Sequence, residues 1–150
     1  MSPEAPLAPS IRYRWTVLVM LTLVYTFNFI DRQILVILQE PIKADLGLSD
    51  AQLGLLSGFS FALVYVTAGI PIAWLADRGN RRNIVAVSLG FWSFMTALSG
   101  LAQNYGQLLA ARIGVGIGEA GGSPPSHSMV SDYFPAKQRG TALSFYSTGI

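Results

Sequence analysis

The chain has 150 residues, of which 51% are hydrophobic and only 12% are charged, whereas soluble domains usually carry about 25% charged residues. The apolar residues form long blocks between short charged segments, which is typical of a membrane protein and excludes an ordinary soluble globular domain. The chain lacks cysteine and has one histidine, His127, so thiol chemistry is excluded and a metal site is disfavoured, while a net charge of +2 without a basic face argues against a nucleic-acid partner.

The first predicted membrane-spanning helix covers about residues 15–38. Residues 1–14 before it are rich in proline and are predicted to form a disordered cytoplasmic tail. The uncharged run that opens the helix is not a signal peptide, because Asp31-Arg32-Gln33 and more apolar sequence follow it in place of a small-residue cleavage site. At 1.5 Å per residue the helix is roughly 36 Å long, which is enough to cross a bilayer.

Three more helices and the start of a fifth are predicted farther along the chain. A capping box from Ser49 to Gln52 opens the second helix, and Pro71 is expected to distort it locally. The fourth helix is expected to be disturbed around Pro124-Pro125. The chain stops inside the fifth helix, which indicates an incomplete protein. The predicted helices cover about residues 53–75, 84–101, 108–126 and 141–150.

The lysine and arginine residues of the predicted loops fall almost entirely in alternate segments. By the positive-inside rule these segments are cytoplasmic, which places the N-terminus in the cytoplasm and predicts a multi-pass protein of the plasma or inner membrane. Only Lys43 lies in a loop on the opposite side. The seven basic residues on the cytoplasmic side are Arg12, Arg14, Arg78, Arg81, Arg82, Lys137 and Arg139.

Small residues recur at four-residue spacing in the second and fourth helices. Such stripes let helix backbones approach closely in lipid, and they indicate either tight static packing or a face that moves during a transport cycle. A G-x-G-x-x-G pattern from Gly116 to Gly121 is not a dinucleotide site, because it lies within a helix and lacks the strand and the later acid of that motif, so no cofactor is expected. The stripes are Gly54, Gly58 and Ala62, and Gly114, Gly118 and Gly122.

Four charged residues lie inside the predicted spans. Asp31 and Arg32 belong to the first helix, whereas Arg112 and Glu119 lie seven residues apart, and so on one face, of the fourth helix. A charge at bilayer depth costs at least about 2.5–3.5 kcal/mol, so these side chains are expected to face the protein interior and to have partners. They form either fixed ion pairs between the two helices or a site for protons and substrate.

A charged turn and two further motifs resemble the signatures of the Major Facilitator Superfamily. The turn is Ala73-Trp74-Leu75-Ala76-Asp77-Arg78-Gly79-Asn80-Arg81-Arg82, in which Ala73 and Asn80 replace two glycines of the family pattern. Asn80 tolerates the left-handed backbone of a tight turn. The other motifs run from Arg112 to Ala120 and from Phe134-Pro135 to Arg139-Gly140.

Within this superfamily, Asn28-Phe29-Ile30-Asp31-Arg32 and Gly118-Glu119-Ala120 resemble the Spinster-like branch, although the anion–cation symporter branch also has Glu-Ala in its fourth helix. The resemblance implies an all-α bundle of twelve helices in two halves, with the second half beyond Ile150, and alternating access by rocking of the halves. It also implies a conformational motif made of Asp77, Arg78, Arg81, Arg82 and Arg112, in which Asp77 caps a helix of the second half.

The resulting functional hypothesis is a proton-coupled secondary transporter, not an enzyme, because no catalytic motif is present. Asp31 is expected to be the main protonation site, Arg32 its movable partner and an anion contact together with Asn28, and Glu119 a second acid. The expected partners are protons, the lipid bilayer and an amphiphilic or organic anion, such as a lysolipid or sphingoid phosphate. Carriers of small organic acids and a non-transporting sensor remain alternatives.

Overall fold

The computed structural model describes residues 10–150, apart from the side chains of residues 59 and 60, and these residues form helices and turns without a strand. The predicted all-α fold class is confirmed. The helices are α1 Ile11–Ile37, α2 Gln39–Leu46, α3 Asp50–Gly54, α4 Ser60–Arg78, α5 Arg81–Ser99, α6 Tyr105–Ala120, α7 Ser123–Tyr133 and α8 Ala136–Ser147. A π-helical turn, Leu55–Phe59, joins α3 to α4.

The first helix begins earlier than the sequence analysis predicted. The Ser10 hydroxyl accepts a hydrogen bond from the Tyr13 amide at 3.3 Å and caps α1, so Arg12 and Arg14 lie in the first turns of the helix and not in a tail. The rest of the predicted tail, residues 1–9, lies outside the described residues. Helix α2 was not predicted, and it begins almost directly after α1.

The second predicted helix opens as expected and ends later. Ser49 and Gln52 form the predicted capping box, with the Gln52 amide donating to the Ser49 hydroxyl and the Ser49 amide donating to the Gln52 side chain at 2.9 Å. Pro71 lies within α4, and α4 continues past it to Arg78. Asn80 then caps α5 with an extended backbone, φ −80°, so its role is that of a helix N-cap and not of a left-handed turn residue.

The fourth predicted helix is interrupted at Gly121-Gly122 and then continues as α7 beyond residue 126. Proline has no amide N–H, so Pro124 and Pro125 leave the carbonyl groups of Ala120 and Gly121 without their usual helical donors, and the break falls at the residues before them. The prolines are tolerated in the first turn of α7. Helix α7 ends at Tyr133 because Phe134 precedes Pro135 and is extended.

The glycine stripe of the fourth predicted helix packs α6 against α5. A Cβ atom built on Gly118 would lie 2.6–2.8 Å from atoms of Trp92, and one on Gly114 would lie 2.6 Å from the Met95 side chain. In the other stripe, Gly54 and Gly58 have no atom of the described chain within 4 Å of such a Cβ. Close packing of α6 against α5 therefore accounts for the stripe that contains Gly114 and Gly118. The stripe that contains Gly54 and Gly58 faces outward from this part of the fold.

The outer surface of the bundle is strongly apolar. The side chains of Ile37, Val66, Ile70 and Val87 are more than half exposed, and two helical segments, 11–37 and 50–78, are long and apolar enough to cross a membrane. A continuous apolar surface of this kind needs lipid or further helices around it. The main core lies near the start of α1 and is formed by Leu18, Leu21, Val85, Met129, Val130, Phe134, Ala142 and Tyr146.

Candidate functional site

The four intramembrane charges come together as two ion pairs between α1 and α6. The Arg112 Nη1 atom donates to Asp31 Oδ2 at 3.2 Å, and the Arg32 Nε atom donates to Glu119 Oε2 at 2.8 Å. Residues 31 and 32 are neighbours on α1, and residues 112 and 119 are two turns apart on α6, so each helix contributes one acid and one base. The site thus joins α1 to α6 through two ion pairs; α1 provides the acid in one pair and the base in the other.

The structure pairs Asp31 with Arg112 and not with Arg32, which was the expected partner. Adjacent residues of an α-helix point about 100° apart, so the side chains of Asp31 and Arg32 diverge. Arg112 and Glu119 share a face of α6, as their spacing predicts, and both are directed towards α1. Asp31 and Arg32 therefore meet different residues of the same opposing helix face.

The two ion pairs differ in their exposure to solvent. The side chains of Asp31 and Arg112 are 10% and 6% exposed, whereas that of Arg32 is 41% exposed and that of Glu119 is fully buried. Arg32 is therefore the charge in this cluster that a ligand from solvent can reach. Its guanidinium can accept a new anionic partner only in competition with a carboxylate that has no contact with water.

Two aromatic residues of α4 complete the site, and the sequence analysis did not identify them as site residues. The Arg32 guanidinium lies 5.1 Å from the Phe61 ring centroid and 5.2 Å from that of Tyr65, and the Arg112 guanidinium lies 5.8 Å from the Phe61 ring. These distances fall within the range of cation–π interactions. Their four-residue spacing on a helix was the available signal, but it did not show that they face an arginine.

Both ion pairs leave hydrogen-bonding capacity unused. In the part of the chain that the structure describes, Arg112 Nε and Glu119 Oε1 are buried without a hydrogen-bond partner. Asn28, one turn before Arg32 on α1, is also buried and lines a small cavity together with Glu119. The predicted substrate residues Asn28 and Arg32 thus lie on the same side of α1, next to the same acid.

The predicted conformational motif is divided between two places. Asp77, Arg78, Arg81 and Arg82 gather at the turn between α4 and α5, where Arg81 forms an ion pair with Asp132 and the Arg78 guanidinium lies 4.0 Å from the Trp74 ring centroid. Arg112 is not part of this cluster and instead contacts Asp31. Asp77 is exposed and forms no salt bridge with another described residue.

Comparison with known proteins points to one large family. The sequence profile of the Major Facilitator Superfamily matches residues 21–150. The fold superposes with a TM-score of 0.90 on the crystal structure of a bacterial homologue of the human lysosomal transporter Spinster in an inward-facing, occupied conformation. That protein is 50% identical, and the match covers 94% of this chain and 30% of the solved chain.

Two sequence relatives carry different functional names. An efflux pump of Mycolicibacterium smegmatis is 42% identical over 139 residues, which cover 93% of this chain and 32% of the relative. A probable galactarate/D-glucarate transporter of Bacillus subtilis is 37% identical over 142 residues, which cover 90% of this chain and 31% of the relative. The chain thus spans about a third of the length of the proteins that it matches.

Proposed function

The chain belongs to the Major Facilitator Superfamily, and from that membership we propose that it is the first part of a proton-coupled secondary transporter that carries an organic anion by alternating access. A member of this family is an integral membrane protein. The complete transporter has a second six-helix half, and the two halves rock around a site between them. Its N-terminus is cytoplasmic, in the plasma or inner membrane, in accordance with the distribution of loop arginines and lysines.

The observation that supports this function is the pair of crossed salt bridges with one accessible arginine. An anionic substrate that binds Arg32 competes with Glu119, which is completely buried and loses its cationic partner in the exchange. An unpaired carboxylate is costly in such surroundings, and taking up a proton removes this cost. Substrate binding and protonation thereby become linked at one residue pair.

The Asp31–Arg112 pair provides the principal protonation step in this proposal. Both side chains are almost enclosed, so protonation of Asp31 releases a buried cation and changes the interaction between α1 and α6. These two helices carry all four charges, so a change in one pair alters the field at the other. Asp31 and Glu119 are thus two acids of one coupled unit.

The proposed substrate is an amphiphilic anion of the lysolipid or sphingoid-phosphate class. Arg32 offers a charged contact for a headgroup, and the neighbouring rings of Phe61 and Tyr65 provide an apolar wall for the adjoining chain. This class is what the resemblance of the Asn28–Arg32 and Gly118–Ala120 motifs to the Spinster-like branch implies. The relative named as a galactarate/D-glucarate transporter supports the second candidate, a small organic acid.

Transport by the full-length protein in proteoliposomes tests these proposals. Labelled lysophosphatidylglycerol and D-glucarate represent the two substrate classes, each measured with and without an imposed proton gradient. Asp31→Asn and Glu119→Gln are expected to abolish or strongly flatten the dependence on the gradient, because neither side chain then exchanges a proton. The matched control is Glu40→Gln, which changes an exposed carboxylate in α2 and is expected to keep wild-type behaviour.

The possible results separate coupling from substrate class. If both acid variants keep the wild-type rate and pH dependence, the four charges are structural ion pairs and the coupling proposal is wrong. Transport of D-glucarate alone would favour the small-acid carrier over the lysolipid transporter. Binding of either compound without movement across the membrane would instead indicate a sensor built on the same fold.

A further inference from the structure

A cavity of about 300 Å³ lies beside the Asp31–Arg112 pair, apart from the surroundings of Arg32. It is bounded by α1, α2, α5 and α6, and no described residue of α4, the helix that carries Phe61 and Tyr65, lines it. Its volume is at the lower end of the roughly 300–1,000 Å³ that small-molecule sites occupy. The cavity is therefore large enough for a small ligand and is distinct from the aromatic wall next to Arg32.

Three residues give this cavity a polar end with unused hydrogen-bonding capacity. Asp31 accepts from Arg112 through Oδ2, and its Oδ1 atom has no hydrogen-bond partner in the part of the chain that the structure describes. Within the same residues, Arg112 Nε and Thr96 Oγ1 are buried without a partner, and both side chains belong to the lining. The carboxylate can accept, the guanidinium can donate, and the hydroxyl can do either. Buried polar atoms left in this state point to a missing polar partner.

The charges of the lining favour an uncharged ligand with an apolar chain. Asp31 and Arg112 neutralise each other, and the third charged residue, Asp45, is exposed and keeps its hydration. An ammonium group beside Arg112, or a carboxylate beside Asp31, would meet a like charge and lose its own hydration without gaining a new counterion. The apolar part of the lining includes Ile34, Leu35 and Leu38 of α1, Ile42 and Leu46 of α2, and Leu108 of α6.

We propose that this cavity binds an uncharged amphiphile, a straight-chain alcohol of medium length, with its hydroxyl at the Asp31–Arg112 end. A hydroxyl group fits this end because it donates one hydrogen bond, to Asp31 Oδ1, and accepts from Arg112 Nε or from Thr96. The chain of the alcohol then lies among the apolar side chains of α1, α2 and α6. The Asp31–Arg112 pair becomes a wall shared by two sites, with Arg32 and the rings of α4 in the other one.

Photolabelling of the full-length protein in lipid nanodiscs tests this site. The probe is an octanol that carries a diazirine group on its chain, and mass spectrometry locates the adducts. We expect saturable adducts on the apolar lining, chiefly at Leu35, Leu38 and Ile42. Unlabelled octanol is expected to prevent labelling at a concentration at least about tenfold lower than octylammonium or octanoate, which have eight carbons as well but charged heads that are costly to bury.

Two variants with matched controls test the space and the polar end. Ser99→Leu adds apolar atoms to the lining and is expected to abolish saturable labelling, whereas Ser93→Leu changes an exposed serine of the same helix outside the lining and is expected to preserve it. Thr96→Val removes a buried hydroxyl and is expected to raise the protecting octanol concentration several-fold. Thr67→Val is its control, because that hydroxyl lies on α4 and donates to the Leu63 carbonyl at 2.8 Å.

Three results would overturn the proposal. Unsaturable adducts spread over the outer apolar surface would show simple partitioning from the bilayer, and a lack of adducts in the lining would show that other parts of the full-length protein fill the cavity. Equal protection by the three eight-carbon compounds would remove the role of the neutral polar end. If Ser99→Leu fails to elute as a single species, Thr96→Val decides the result. Binding is measured without transport, so the proposed function fails separately, when wild-type transport is independent of the proton gradient.

Discussion

At the scale of single residues, the site is governed by unequal access to solvent within a compact group of charges. Arg32 is the accessible member, and its acid partner is fully buried. Phe61 has a special position in this group, because its ring lies near the guanidinium groups of both Arg32 and Arg112. A substitution of Phe61 is therefore expected to affect both ion pairs, although Phe61 carries no charge itself.

Replacing Phe61 by leucine tests this positioning role. We expect Phe61→Leu to weaken lysophosphatidylglycerol binding several-fold, in line with the about 0.5–2 kcal/mol of a cation–π contact, and to alter the pH dependence of transport. Binding isotherms and pH–rate profiles of the full-length protein measure both effects. Phe94→Leu is the control, because Phe94 is mostly exposed on the outer surface. Equal effects of the two substitutions would show that Phe61 acts only through general packing.

At the scale of the helices, α6 is the element that organises the bundle. Its glycines let α5 approach on one side, while Arg112 and Glu119 contact α1. Close packing fixes the rotation of α6 about its axis, and this rotation keeps both charged side chains directed at α1. Helix packing and site geometry therefore depend on the same short segment of the sequence.

A methyl group on Gly118 tests this dependence. We expect Gly118→Ala to lower the free energy of unfolding by about 1–3 kcal/mol, the usual cost of overpacking, because its Cβ meets backbone atoms of Trp92 that cannot move independently. Thermal unfolding of the detergent-solubilised full-length protein measures the change. Gly90→Ala on α5 serves as control, since a Cβ there has nothing within 4 Å in the described chain. Equal melting temperatures for Gly118→Ala and the wild type would contradict the packing argument.

At the scale of the whole molecule, the charges at the two ends of the helices have different roles. By the positive-inside rule, the distribution of loop arginines and lysines is expected to set the orientation in the membrane. The turn between α4 and α5 contains the exposed Asp77, which forms no salt bridge within the described residues. In the proposed transporter, an acid in this position is available to a helix end of the second half, where the positive end of the helix dipole favours a negative charge.

Single-cysteine labelling tests the orientation, and the lack of native cysteine makes it specific. A cysteine in place of Asp45, between the first two predicted spans, is expected to react with an impermeant maleimide added outside intact cells. A cysteine in place of Asn80 is expected to react only after the cells are permeabilised, because its turn carries arginines that the positive-inside rule places in the cytoplasm. The reverse labelling pattern would invert the proposed topology.

Neutralising Asp77 tests the role of the exposed turn. We expect Asp77→Asn to leave expression nearly unchanged, to reduce transport, and to shift the balance between inward-facing and outward-facing states, because the contact with the helix dipole is lost. Distances between spin labels on the two halves of the full-length protein report this balance. Asp45→Asn is the control, because Asp45 is predicted to lie on the opposite side of the membrane. An unchanged balance with normal transport would show that Asp77 has no conformational role.

The sequence alone determined the features that follow from local chemistry. Long apolar blocks specify spanning helices, since a backbone in lipid must satisfy its hydrogen bonds internally. The Ser49–Gln52 capping box was predicted from four residues and is confirmed. The cost of placing charge in lipid was enough to predict that Arg112 and Glu119 face the protein interior. The predicted disturbance around Pro124-Pro125 is confirmed, but the helix resumes as α7 and continues to Tyr133, past the predicted end at residue 126, because prolines are tolerated in a first helical turn. The last helix, α8, begins at Ala136 and not at residue 141 as predicted.

Only the tertiary structure decided which charges meet. Asp31 and Arg112 are 81 residues apart in sequence, and Arg32 and Glu119 are 87 residues apart. Their pairing depends on the relative rotation and axial register of α1 and α6, which the packing of the whole bundle sets and which no local pattern encodes. The position of Phe61 beside two arginines has the same origin, because the sequence of one helix does not show which residues of other helices an aromatic side chain will contact.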